Sequence, residues 1–237
     1  MNPVFERQLV HLLSLVVLLG VTWALADIDP VQQGSLWIST PTLLILAVGI
    51  AVVHQGYVWL VWRMELHRDW VTSRWPNYGF RAYTIGFIVI GSGRIVFIGW
   101  LAVANRGTVE SFGSVRWLLG SVFLVASLYC FYSVHRYFGI DRAAGIDHFE
   151  PERDWPLVND GIFRYTSNGM YSVGFLFLWV PGLLFGSAAA LLAAAFQHAY
   201  IWVHYYCTER PDMREIYGEG SIEDRSSGLQ GSDSSES

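Results

Sequence analysis

Long apolar stretches alternate with short polar segments along this 237-residue chain. A helix needs about 20 apolar residues to cross the hydrocarbon core of a bilayer. Uncharged or nearly uncharged runs of about that length or longer lie at 9–26, 41–62, 82–104, 116–138 and 170–206. The pattern therefore predicts an all-α fold, a polytopic membrane helix bundle.

The last apolar run, 170–206, is too long for one span. As a single helix its 37 residues would extend about 55 Å, against a hydrocarbon core of about 30 Å. Pro181, Gly182 and Gly186 lie near its middle and favour a break. We therefore predict two short helices joined by a tight turn, a C-terminal helical hairpin, and about six transmembrane helices in all.

The arginines predict the orientation, because positively charged short loops stay in the cytoplasm. Arginines are frequent in 63–81 and 139–164, whereas 27–40 has none and 105–115 has only Arg106. We expect an integral protein of the plasma membrane or an endomembrane, with both termini and the active site at the cytoplasmic face. Ala24-Leu25-Ala26 resembles a signal-peptidase site, but the length of the first apolar run favours a retained helix.

Composition agrees with a membrane protein and excludes other classes. Hydrophobic residues make up 53% of the chain and charged residues 15%, so apolar side chains exceed what a soluble core needs. The net charge of −5 comes from 208–237, where 8 acids face 3 arginines. The last part, 219–237, is expected to be a disordered acidic tail. We therefore expect no nucleic-acid partner, and the distant Cys130 and Cys207 indicate neither a disulfide framework nor a metal site.

The polar segment 159–171, NDGIFRYTSNGMY, leads into the last apolar run. Asp160-Gly161 is a turn signal. Hydrogen-bonding side chains follow where the chain meets the membrane, namely Arg164, Tyr165, Ser167, Asn168 and Tyr171. The alternative to a binding site is an ordinary helix start, with Asn168 as N-cap and the tyrosines as interfacial anchors.

The final helix and its end, 198–218, carry a row of ionisable and aromatic side chains. At 100° per residue, four of them fall within about 60° of one another, namely His198, Trp202, Tyr205 and Glu209. His204 lies on a neighbouring face, and Pro211 predicts the end of the helix just after Glu209. Such a row would be costly against lipid, so it should face other helices or a water-filled cavity.

Arg94, near the centre of the third span, is a third break in the apolar pattern. An intramembrane charge is by default a candidate functional residue. The alternative is a pairing with a buried polar group, His54 or Gln55 on the second span. Gly91 and Gly93 beside it also fit close helix packing.

The order of these features resembles the phospholipid N-methyltransferases. The chain has Arg-Tyr-x-x-Asn-x-Met-Tyr at 164–171, then the apolar hairpin, then Glu-x-Pro and Glu-Ile-Tyr within 209–217. Tyr137-Phe138-Gly139-Ile140 also looks like a run of that family. The resemblance covers 130–218, which we take as the methyltransferase core after N-terminal transmembrane helices at 1–129. The related isoprenylcysteine carboxyl methyltransferases usually show Arg-His-Pro-x-Tyr where this chain has Ser-Asn-Gly-Met-Tyr.

Two positions depart from the family pattern, since Gly169 replaces the usual Pro and Arg210 replaces the second Glu of a Glu-Glu pair. The resemblance implies S-adenosylmethionine as the methyl donor and a membrane phospholipid as substrate, with no metal. It also implies a set of cofactor-binding residues, namely Arg164, Tyr165, Asn168, Tyr171 and Glu209. A homodimer is one arrangement that the sequence allows.

The acceptor amine must lose a proton before it can attack, because a lipid ethanolamine titrates near 10, roughly like a lysine. The candidates for this catalytic step are Glu209, His198 and His204. Trp202 and Tyr205 are candidates for holding the methylated ammonium, and Arg94 or Arg136 for the lipid phosphate. The leading hypothesis is N-methylation of phosphatidylethanolamine, or its methylated derivatives, towards phosphatidylcholine. The alternatives are methylation of an isoprenylcysteine or another amphiphile, and a non-catalytic scaffold of the same fold.

Overall fold

The computed structural model describes residues 2–109, 113–153, 155–156 and 158–218. The α-helices in this part of the chain are α1 Gln8–Ala26, α2 Asp29–Gln32, α3 Thr40–Arg68, α4 Gly79–Ala104, α5 Val115–Ser133, α6 Ile140–Ala143, α7 Gly169–Ser172, α8 Trp179–Phe185, α9 Ala188–His204 and α10 Arg210–Tyr217. The 3₁₀ turns are Pro3–Phe5, Ile146–His148, Gly161–Arg164 and Gly174–Leu178, and the π-helical turns are Val134–Phe138 and Tyr205–Glu209. Two-residue strands, β1 Ser35–Leu36 and β2 Ile38–Ser39, pair antiparallel with Ser35 opposite Ser39.

Four helical segments of the described chain are long and apolar enough to cross a membrane. They are Pro3–Ala26, Thr40–Arg68, Gly79–Ala104 and Val115–Phe138. The first four predicted spans and the all-helical bundle are thereby confirmed. The second extends beyond the predicted residue 62 because Arg63 and Glu65, which read as loop charges in the sequence, are buried and have partners inside the fold.

The last apolar run is helical on both sides of a break at Gly186. This glycine has φ +61°, the left-handed conformation that ends many helices. The hydroxyl of Ser187 then accepts a hydrogen bond from the amide of Ala190 at 3.1 Å and caps α9. The segments on either side, Gly169–Phe185 and α9, are shorter than the four long helices. The hairpin and the count of six spans stay predictions.

Asn105 joins three loops at the end of the bundle where this break lies. Its amide nitrogen donates to the carbonyls of Pro30 and Gln33 at 2.8 and 2.7 Å. Its amide oxygen accepts from the hydroxyl of Ser187 and from the amide of Ala189, both at 2.9 Å. Because the side chain is fully buried, no water can replace these bonds.

We expect Asn105→Ala to destabilise the protein by about 2 kcal/mol or more, because it leaves buried carbonyl and amide groups without partners. The loss of stability is measured by thermal unfolding in detergent, with the exposure of the buried cysteines as the signal of unfolding. Asn159→Ala, at an exposed position, is the matched control and should change stability by less than about 0.5 kcal/mol. Equal unfolding temperatures for the two variants would contradict this role of Asn105.

The centre of the bundle is packed through small side chains. Ala47 and Ala51 of α3 and Ala189, Ala190 and Ala193 of α9 are fully buried in one apolar cluster with residues of α4. Small residues let helix backbones approach closely, which is how helices associate in a membrane. This packing fixes α9, whose last residues lead into the polar end of the bundle.

The helical chain continues past Pro211, so the predicted end after Glu209 was wrong. A π-helical turn, Tyr205–Glu209, leads directly into α10. Pro211 occupies the first turn of α10, where its missing N–H removes little hydrogen bonding. The predicted acidic tail, 219–237, lies outside the described residues.

Candidate functional site

A cavity of about 470 Å³ opens at the end of the bundle that holds α10. Its size is within the range of small-molecule sites. Three stretches that are distant in sequence contribute most of its wall, 138–148, 163–171 and 205–214, together with Trp62 of α3. The lining residues are Trp62, Phe138, Arg142, Ala143, Gly145, Asp147, His148, Phe163, Ser167, Asn168, Met170, Tyr171, Tyr205, Tyr206, Glu209, Arg210, Met213 and Arg214.

The carboxylate of Glu209 lies in the wall of this cavity and accepts a hydrogen bond from the hydroxyl of Tyr171. Burial raises the pKa of Glu209 to about 7, although the hydrogen bond from Tyr171 opposes this shift. A carboxyl group with such a pKa exchanges a proton near neutral pH. Glu209 is therefore the group in the wall best suited to acid–base work.

The aromatic row of the last helix faces the start of the same apolar run, as its spacing predicts. The ring of Tyr171 lies 6.1 Å from that of Trp202 and 5.8 Å from that of Tyr205, between ring centroids. Further along, Nδ1 of His198 accepts a hydrogen bond from Trp179 at 3.1 Å. The row is thus a packed interface at His198 and opens into the cavity at Tyr205 and Glu209.

A buried ion-pair network supports the inner wall. The guanidinium of Arg63 contacts Asp212 at 2.6 Å, and Nε2 of His148 lies 3.2 Å from the other carboxylate oxygen. All three side chains are at most 1% exposed. The imidazole of His148 stacks on Trp62, with ring centroids 4.1 Å apart. The network therefore fixes α3, the 3₁₀ turn at 146–148 and α10 against one another.

A second network closes the side of the cavity formed by 138–147. Arg142 contacts Asp147 at 3.4 Å and packs its guanidinium over the ring of Phe138 at 4.9 Å. The hydroxyl of Tyr217 donates to Asp147 at 2.7 Å, and burial raises the pKa of this tyrosine to about 12. The Glu-Ile-Tyr motif thus contributes a tyrosine that stays protonated and stabilises the wall.

The predicted turn at Asp160-Gly161 brings 163–171 to the cavity. Gly161 has φ +60°, and a Cβ atom there would lie 2.6 Å from the hydroxyl of Ser133. That hydroxyl accepts a hydrogen bond from the amide of Ile162 at 3.1 Å, which fixes the turn against α5. Asn168 is at the N-cap position of α7 but makes no capping bond with its side chain, which interacts with Tyr205 instead.

The structure brings only part of the predicted site together. Four predicted residues line the cavity, namely Asn168, Tyr171, Tyr205 and Glu209. The others lie elsewhere: Arg164, Tyr165 and Arg136 are exposed, Trp202 packs behind Tyr171, and His198 and His204 lie in the helix interface. Arg94 bonds Gln197 at 2.8 Å and His54 at 3.3 Å inside the bundle, as its alternative interpretation predicts. The functional roles assigned to these residues stay predictions.

Sequence reasoning missed one side of the cavity, formed by Arg142, Asp147 and His148. A signal was available, because charged and ionisable residues follow directly after the Tyr137–Ile140 run. That polar segment reads as a loop, and nothing local indicates that Arg142, Asp147 and His148 are buried.

The sequence profile of the phospholipid methyltransferase family matches residues 115–220. The predicted resemblance is confirmed. The phosphatidylethanolamine N-methyltransferase of Candida albicans (strain WO-1) is 26% identical over 136 residues, 57% of this chain and 12% of the relative. The enzyme of the same name from Scheffersomyces stipitis is 25% identical over 131 residues, 55% of this chain and 12% of the relative.

This chain therefore matches only a small part of these curated relatives. No solved structure shows significant similarity to it. The matched phospholipid methyltransferase region, 115–220, includes most of the cavity wall, from Phe138 to Arg214, whereas Trp62 lies before it.

Proposed function

We propose that this protein is an S-adenosylmethionine-dependent integral-membrane methyltransferase that N-methylates phosphatidylethanolamine, or its methylated derivatives, towards phosphatidylcholine. The observation that carries the proposal is the Glu209 carboxylate, bonded to Tyr171 in the wall of a cavity with several aromatic side chains. The family profile and the names of the relatives support the same activity.

The residues of the cavity suit S-adenosylmethionine in size and chemistry. The cavity of about 470 Å³ can enclose a ligand of that class. Glu209 offers a negative charge to the amino and sulfonium groups. Phe138, Phe163 and Tyr205 offer ring faces to the adenine and the sulfonium. When bound, the cofactor supplies a methyl group activated by the positive charge on sulfur.

Glu209 is proposed to take the proton that the acceptor amine must lose. The pKa of Glu209 is raised to about 7. It is therefore closer to the pKa of the amine than the pKa of an ordinary carboxylate is. Tyr171 holds one carboxylate oxygen and leaves the other for the ammonium proton. The surrounding rings exclude water and place the neutral amine beside the methyl group, so catalysis depends mainly on position.

The arrangement in the membrane is proposed to be six spans with the cavity at the cytoplasmic face. The arginine-bearing loop after α3 lies at the cavity end, since His67 contacts Glu215 of α10 at 3.3 Å. The break at Gly186 lies at the opposite end, where the amide of Gly107 donates to Phe185. If Gly169–Phe185 and α9 each cross the membrane, the cavity and the break at Gly186 lie on opposite sides of it.

Transfer of a labelled methyl group tests the proposed function. Purified protein in vesicles, with labelled S-adenosylmethionine, should label phosphatidylethanolamine and leave an added isoprenylcysteine acceptor unlabelled. Label in the isoprenylcysteine alone would show that isoprenylcysteine, and not phosphatidylethanolamine, is the acceptor. Binding of the cofactor without transfer to either lipid would contradict the proposed activity.

Tyr171→Phe should lower kcat/KM by about tenfold, because a hydrogen bond to a charged group contributes roughly 1.5 kcal/mol or more. The loss of this bond should also raise the pKa of Glu209 further, since the bond opposes the shift caused by burial. The acid limb of the pH–rate profile should therefore move to higher pH. Tyr78→Phe, at an exposed position outside the cavity wall, is the matched control, and identical profiles for both variants would contradict the role of Tyr171.

A further inference from the structure

Two arginines of α10, Arg210 and Arg214, line the cavity one helical turn apart. Residues four positions apart share a helix face and are about 6 Å apart along the axis. The guanidinium of Arg210 packs over the ring of Tyr206 at 5.9 Å. Within the described part of the chain, neither arginine forms an ion pair with a carboxylate. As far as the described residues show, both arginines therefore line the cavity without a carboxylate bound to their guanidinium groups.

The other charged groups of the cavity wall already have partners. Arg142 contacts Asp147, and Glu209 accepts the hydrogen bond of Tyr171. Behind the wall, Asp212 lies between Arg63 and His148. The excess charge is thus confined to one face of α10. Two guanidinium groups at this spacing match an anion with several oxygens, because arginine binds phosphate oxygens in a bidentate manner.

We propose that Arg210 and Arg214 form the subsite for the phosphodiester of the acceptor lipid. This inference rests on the proposed function, because the phosphate belongs to the same headgroup as the amine that is methylated. Only two carbons separate the amine of ethanolamine from the phosphate oxygen. Its two ends need partners close together, and Arg210 directly follows Glu209. A phosphate held by α10 therefore places the amine near the carboxylate that accepts its proton.

The position of α10 also suits a headgroup. The helix begins directly after the π turn that follows α9, so it lies where the last apolar segment ends. Lipid phosphates occupy the polar layer immediately outside the hydrocarbon core. The two arginines that the sequence suggested for binding the lipid phosphate lie outside this cavity. Arg94 is buried inside the bundle, and Arg136 packs over Tyr137.

The test compares two acceptors that differ only in the phosphate. One is a short-chain phosphatidylethanolamine, and the other is a diacylglycerol in which an ether joins the aminoethyl group directly. Binding of each to the full-length protein in maltoside micelles is measured by calorimetry for the wild type and for R210Q/R214Q. KM for each acceptor and the Kd of S-adenosylmethionine are measured alongside. Arg68→Gln, at an exposed arginine that ends α3, is the matched control for loss of charge.

We expect R210Q/R214Q to bind phosphatidylethanolamine about tenfold to a hundredfold more weakly, the range for lost hydrogen bonds to a charged group. Its affinities for the phosphate-free lipid and for the cofactor should equal those of the wild type. Unchanged binding of phosphatidylethanolamine, equal loss for both lipids, or a loss confined to the cofactor would each overturn the subsite. Phosphate-dependent binding without turnover by the wild type would instead retain the subsite and reject the proposed function.

Discussion

Glu209→Gln should reduce kcat/KM for phosphatidylethanolamine by about 10² to 10⁴, the usual contribution of a positioned general base. The substitution keeps the size and most of the hydrogen bonding of the side chain but removes its ability to take a proton. Steady-state transfer of labelled methyl groups measures the effect. Glu215→Gln, on the exposed side of α10, is the matched control and should retain wild-type activity.

The pH dependence distinguishes a base from a purely electrostatic role of Glu209. As the proposed base, ionised Glu209 takes the proton of the bound amine, so kcat/KM of the wild type should fall below pH about 7 and stay level at higher pH. Without the base, only the neutral amine reacts. The remaining activity of Glu209→Gln should therefore rise steadily towards pH about 10. A plateau between 7 and 10 in the variant would contradict proton transfer to Glu209.

Asp212→Ala should destabilise the protein by about 3–5 kcal/mol, because it leaves the guanidinium of Arg63 buried without its counter-charge. The imidazole of His148 loses the same partner, and the wall formed by 146–148 loses its attachment to α10. Thermal unfolding in detergent measures the stability. Cofactor binding should weaken in parallel, because His148 and Trp62 line the cavity.

The control for Asp212→Ala is Glu215→Ala, which removes an acid from the same helix. The carboxylate of Glu215 is half-exposed and contacts His67 at 3.3 Å. Exposed pairs contribute at most about 1 kcal/mol. A loss of stability as small for Asp212→Ala as for Glu215→Ala would show that the buried network contributes little to the fold.

The long helices could be predicted from the sequence because the cost of exposing polar groups to lipid acts on each segment separately. The polar row from His198 to Tyr205 was predictable for a similar reason, since one regular helix fixes its phase. The π turn at Tyr205–Glu209 was not, because its altered hydrogen bonding has no composition signal. Because the π turn could not be predicted, Pro211 was interpreted as the end of the helix.

The buried network at the site depends on contacts that no local pattern contains. Arg63 reads as a loop arginine and supports the orientation argument, yet it is 1% exposed inside α3. Its partner Asp212 lies 149 positions further along the chain, and His148 follows a segment that reads as a polar loop. Only the folded chain brings these three charges together. The motif residues of the family were recognisable, but the cavity wall opposite them was not.

The most direct test of the central claim is headgroup analysis in a host that lacks lipid methylation of its own. Expression of the wild-type chain should produce methylated derivatives of phosphatidylethanolamine, and Glu209→Gln at equal membrane abundance should not. Methylated lipids at the same level with both proteins would contradict the assignment of Glu209. Their absence with a stably inserted wild-type protein that binds S-adenosylmethionine would contradict phosphatidylethanolamine as the acceptor.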